Sequence, residues 1–193
     1  MIRNISFILI VLLFNIAILQ ADDIQTFNKE TEACKKNNYR MCLNLGVSYE
    51  NGYGVKQDKK KAAQIYKKAC DGGKAKGCTN LGHMYDDGNG VRQDKKKAVQ
   101  LYKKGCDGGN ILGCTNLGHM YDDGDGVKKD KKKAAQLYKK ACDGGNAIGC
   151  ADLGYMYANG YGVKLDKKKA LQLSKKACDA GNAVGCSNYK IYK

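Results

Sequence analysis

The chain repeats itself every 36 residues, and every repeat carries two cysteines eight residues apart: Cys34/Cys42, Cys70/Cys78, Cys106/Cys114, Cys142/Cys150 and Cys178/Cys186. Self-similarity at such a period marks an array of stacked units, in which each unit buries its apolar face only against its neighbours and function lies on a surface assembled across units. Ten cysteines allow many pairings, but the period favours the local C-x7-C bridge in every unit. A closed loop of that size is worth about 2.5 kcal/mol on the chain-entropy model.

One unit runs from Gly145 to Cys178, and two helices with two turns account for nearly all of it. Helix A is predicted over about Asn146 to Ala158, because Cys150, Leu153, Gly154 and Tyr157 recur at spacings of three and four. Gly154 and its equivalents Gly46, Gly82 and Gly118 would let a neighbouring helix come close. Helix B opens at Asp166, a good N-cap like Asp58, Asp94 and Asp130, and buries Ala170, Leu173 and Ala177. Gly181 closes it, matched by Gly73, Gly109, Gly145 and, in the first unit, Asn37, all suited to a left-handed cap. The expected fold is an all-α, right-handed α/α solenoid stapled by one disulfide per unit. Its units lie near 37–72, 73–108, 109–144 and 145–180, with half-repeat caps at 22–36 and 181–193.

The first 21 residues pair one basic group, Arg3, with an apolar stretch from Ile5 to Leu19 and a small residue, Ala21, before Asp22 and Asp23. They read as a cleaved signal peptide, leaving no transmembrane anchor. Regularly paired cysteines in an exported chain fit disulfides, so a secreted or periplasmic location is expected. Lys and Arg number 34 against 19 Asp and Glu. Export argues against nucleic acid as the partner of that charge. Acidic host or envelope surfaces are the physical candidates, and a solvated basic face is the plainer account.

The run Leu81-Gly82-His-Met-Tyr85-Asp-Asp-Gly88-Asn-Gly90-Val91-Arg-Gln-Asp94-Lys-Lys-Lys97-Ala98-Val-Gln-Leu-Tyr102-Lys-Lys-Gly-Cys106 resembles a Sel1-like repeat, a relative of the tetratricopeptide repeat. With a C-x7-C pair in every unit and the leader, the chain is similar to the secreted cysteine-rich Sel1-like proteins of the Helicobacter type. The resemblance implies an adaptor that binds peptide or protein on a concave face lined by helix A. It also implies penicillin binding with slow β-lactam hydrolysis, acting on β-lactam or cell-wall-like compounds.

The residues offer little hydrolase machinery. Of the Ser-x-x-Lys, Ser-Asp-Asn and Lys-Thr-Gly elements of serine β-lactamases only the first has a match, Ser187 with Lys190, and a lysine-rich chain produces such a match by chance. Two histidines and bridged cysteines leave no ligand set for a catalytic metal, and no cofactor is expected. The candidate ligand surface consists of two ladders on helix A. One is Asn44, Asn80, Asn116, Asp152 and Asn188; the other, three residues on, is Val47, His83, His119 and Tyr155, with Met84, Met120 and Met156 expected to flank the groove. Amides at this period would hydrogen-bond an extended peptide, or stack on one another and stabilise the array. A lysine face completes the picture: Lys59 to Lys61 and their equivalents open each helix B, and Lys67/Lys68 and theirs close it, where cations complement the helix dipole.

Overall fold

The computed structural model of the protein describes residues 21–193, so the predicted leader lies, Ala21 aside, outside the described residues. Ten α-helices and no strand are found among them. A helix over 21–35 (α1) is followed by α2 (Tyr39–Asn51), α3 (Lys59–Asp71), α4 (Ala75–Asp87), α5 (Lys95–Asp107), α6 (Ile111–Asp123), α7 (Lys131–Asp143), α8 (Ala147–Asn159), α9 (Lys167–Asp179) and α10 (Ala183–Tyr192). Even-numbered helices are helix A and odd-numbered ones helix B, each packed on its sequence neighbours to form a solenoid.

The helix ends follow from single residues. The carboxylates of Asp58, Asp94, Asp130 and Asp166 accept the backbone N–H of Lys61, Lys97, Lys133 and Lys169. Asn38, Asn110, Asn146 and Asn182 serve α2, α6, α8 and α10 in the same way, which places Asn146 just before its helix rather than inside it, while α4 follows Lys74 with no side-chain cap. Left-handed backbone closes the turn at Gly73, Gly109, Gly145 and Gly181, and at Asn37 with φ 62°. All five bridges have the local pairing: Cys34–Cys42, Cys70–Cys78, Cys106–Cys114, Cys142–Cys150 and Cys178–Cys186. Each ties the end of one helix B to the start of the next helix A.

The core is a row of small clusters, one per junction. Tyr66, Tyr102 and Tyr138 are fully buried, each with its ring over the glycine of its own unit's helix A, Gly46, Gly82 or Gly118. A side chain at any of these glycines would run into that ring. Met84, Met120 and Met156 are also core, at most 4% exposed, packed with Leu81, Leu117 and Leu153. The expectation that these methionines flank an open groove is therefore corrected. They fall three residues after a buried leucine, on the side that faces the neighbouring unit. Successive units also interlock through their A–B loops: a side chain at Gly90, Gly126 or Gly162 would strike the backbone of Lys59, Lys95 or Lys131 one unit earlier.

Candidate functional site

Burying Cys42, Leu45 and Gly46, and their equivalents, turns the opposite side of every even-numbered helix outward. The two ladders lie on this open side. Asn44 is exposed; Asn80, Asn116, Asp152 and Asn188 are half-buried; His83 and Tyr155 are exposed and His119 is half-buried. A third row lies four residues before the amides: Arg40, Lys76, Leu112, Ile148 and Val184. Its last three members are 45–59% exposed, and they are joined on α8 and α10 by Tyr155 and Ile191. The open face is thus basic and polar over its first two helices and apolar over its last three. This third row was missed in the sequence because an apolar residue in a first helical turn looks like core. The signal available was its position, at helical spacing from a ladder already assigned to the open side.

The ladders are tied to the core beneath them. The Tyr66 hydroxyl donates to the Glu50 carboxylate at 2.6 Å, and Tyr102 donates to Asp86 at 3.2 Å. Burial first, and these carboxylates second, push both phenols well above the usual tyrosine range, while the amides of Asn80 and Asn116 act against that rise. Those two ladder residues therefore serve the stack as well as the surface. Two members from different rows meet directly: His119 Nε2 lies 2.9 Å from Asp152 Oδ2, joining α6 to α8. That hydrogen bond, opposed by burial, raises the His119 pKa above its ordinary value. His83, in the equivalent place, turns instead to Asp87 of its own helix at 3.3 Å.

Ser187 and Lys190 are both exposed on α10, and no hydrogen bond joins them among the described residues. No group of three or more His, Cys, Asp or Glu that could hold a metal ion is found among the described residues. Much of the lysine face has internal work. Lys95 pairs with Asp86 and Lys131 with Asp122, both at 2.6 Å. Lys61, Lys97, Lys133 and Lys169 lie over the rings of Tyr49, Tyr85, Tyr121 and Tyr157. Lys68, Lys140 and Lys176 reach back one unit to the carbonyls of Cys34, Cys106 and Cys142 at 2.8–3.1 Å. Lys68, Lys140 and Lys176 stand in the last turn of their own helix as expected, and through these contacts they also serve the helix B before it. The lysines that open helix B and are left without such a partner among the described residues are the middle ones, Lys60, Lys96, Lys132 and Lys168, together with Lys167.

Comparison with known proteins gives a consistent picture. The Sel1 repeat profile matches residues 40–74, 75–110, 111–146 and 147–182. No curated protein matches the chain. Among solved structures, a protective antigen present in uropathogenic Escherichia coli strains, displaying an SLR fold, superposes with a TM-score of 0.83 at 31% identity over 87% of this chain; the chain spans about a third (36%) of its length. A Sel1 repeat protein from Oxalobacter formigenes superposes with a TM-score of 0.80 at 29% identity, covering 86% of this chain and 67% of that one. The Helicobacter pylori cysteine rich protein B has the higher identity, 40%, over 69% of this chain and 96% of its own, with a TM-score of 0.55.

Proposed function

The chain belongs to the Sel1 repeat family, and from that premise we propose that it is an exported interaction scaffold whose open helix-A face binds an extended peptide segment of a protein partner. Sel1 repeats generally mediate protein–protein interaction, which sets the class. The observation that carries the particular reading is the three-row register of that face. Amides at a constant period can pair with peptide backbone, and the exposed row of Leu112, Ile148 and Val184 offers side-chain contacts beside them. Contiguous exposed apolar residues of this kind mark a binding surface more often than chance scatter does. Five disulfides support an oxidising compartment, secreted or periplasmic, and no helix among the described residues is long and apolar enough to cross a membrane.

Two competing readings have less behind them. Penicillin binding with slow β-lactam hydrolysis is implied by family resemblance, and Ser187 and Lys190 add no paired nucleophile and base to it. Adhesion to acidic host or envelope surfaces through charge draws on a lysine face that is already largely engaged in the fold. Peptides selected from a displayed library on the folded protein separate the three. Binders should weaken on Ile148→Asp and on Asn116→Ala and be indifferent to Lys96→Gln. Binders that ignore the first two changes and fade with Lys96→Gln and added salt would overturn the proposal in favour of charge.

A further inference from the structure

A second surface lies on the other side of the solenoid, between one helix B and the loop that follows the next helix A. There an open notch of about 1010 Å³ has a floor of Ala63, Leu81, Tyr85 and Val91 and a rim that includes Lys60 and Arg92. The same register position two units later forms a smaller notch of about 190 Å³, with Ala135, Leu153, Tyr157 and Val163 as floor and Lys132 on the rim. Between them the register continues through Leu117, Tyr121 and Val127, but Val99 stands where Ala63 and Ala135 stand, and its branched side chain packs onto that cluster. Ala, Val and Ala thus alternate at this position of successive floors.

The rim selects the occupant. Lys60 and Arg92 have no carboxylate partner among the described residues, whereas Lys67 beside them is paired with Asp71. An aliphatic and aromatic floor under unpaired cations complements an apolar side chain next to a carboxylate. We infer that these notches are docking sites for acidic peptide segments of a protein partner, each taking one aliphatic side chain on its apolar floor with a neighbouring Glu or Asp on the rim cations, Lys60 and Arg92 in the first notch and Lys132 in the second. A sulfated glycan would use the rim charges but not the floor. These sites are independent of the helix-A face and stand or fall separately from it.

A short acetylated peptide alternating Glu and Leu, titrated against the purified disulfide-bonded protein, tests the inference, with an alternating Glu and Gln peptide and heparin as comparison probes. Ala63→Val, which copies the residue already present at Val99, should weaken the Glu/Leu peptide by on the order of tenfold, as should Arg92→Gln. Val99→Ala should act in the opposite direction and raise the number of bound peptides, so a fold defect in one variant cannot imitate the pattern. Thermal melting of each variant confirms that it is folded. Equal binding of the Glu/Gln peptide, or heparin binding with the Glu/Leu peptide indifferent to both Ala63→Val and Val99→Ala, would overturn the inference and leave a purely electrostatic surface.

Discussion

The first three helix pairs and the last one solve the same packing problem in different ways. In α2/α3, α4/α5 and α6/α7 a tyrosine fills the space over a helix-A glycine, and an acidic residue, Glu50, Asp86 or Asp122, faces it from that helix. In α8/α9 the tyrosine position is Ser174, the acid position is Ala158, and Tyr155 replaces the histidine of the preceding two units. Ser174 is fully buried and its hydroxyl has no hydrogen-bond partner among the described residues. A tyrosine retained over Ala158 would have lost its acceptor, and an acid retained over Ser174 would have lost its donor. Phenol and carboxylate, hydrogen-bonded to each other in the first two pairs, are thus both absent from the last. The last pair gives up this polar tie in the same stretch where the open face becomes apolar.

Four experiments break or sharpen that contrast. The largest effect is expected from the staples: Cys106→Ala with Cys114→Ala should cost about 2.5 kcal/mol in denaturant unfolding. The corresponding change at Cys178 and Cys186 should instead release α10 in a separate early transition, because that helix ends the array and packs chiefly on α9 and α8 among the described residues. Glycine substitution comes next. Gly46→Ala should lose about 1–3 kcal/mol, because the added carbon meets the Tyr66 ring. Gly154→Ala, whose added carbon would find Ser174 Oγ at 3.0 Å, should be neutral or gain up to about 1 kcal/mol from helix propensity. Equal losses at both sites would show that the tyrosine is not what distinguishes the pairs.

Third, Tyr66→Phe should cost about 1–2 kcal/mol and Ser174→Ala should stabilise by about 1 kcal/mol, since the first removes a satisfied hydroxyl and the second an orphan. The smallest effect is pH-dependent. His119 faces Asp152 on α8, with Asp122, Asp123 and the Tyr138 ring beside it. Its folded pKa is raised above the unfolded value, so its contribution is fully present below about pH 6.5 and is lost as pH rises through the folded value. Exposure of both side chains keeps that contribution small. Melting curves between pH 6 and 8 should therefore fall slightly more for the natural chain than for His119→Gln. Parallel curves would remove the α6–α8 tie from the account.

Local chemistry was legible in the sequence wherever one residue decides the outcome: an aspartate before a helix, a glycine or Asn37 after it, a cysteine eight residues from its mate. Even the wide spaces above Gly46, Gly82 and Gly118 could be read as close approaches, although not as places for a tyrosine of the same unit. What failed to show was the sense in which each helix is rotated. Helix A carries apolar residues on both its buried and its open sides, so Met84 and Leu112 look alike as letters, and only the packing of the next unit separates core from surface. The lysine partners were hidden for a related reason. Lys68 and the Cys34 carbonyl are 34 residues apart, and no pattern inside one repeat contains both.

Those backward-reaching lysines give the array a direction. The carbonyls of Cys34, Cys106 and Cys142, which already accept a backbone N–H from Asn37, Gly109 and Gly145, receive a second, side-chain donor from the unit that follows. A ribosome delivers this chain with the earlier unit first. At three of the junctions a newly delivered repeat therefore both adds itself and brings a cation to the end of its predecessor's helix B. Shortening is unequal in the same sense. Trimming from the front strands only a lysine that water can solvate, whereas trimming from the back takes a cation away from the helix end before it.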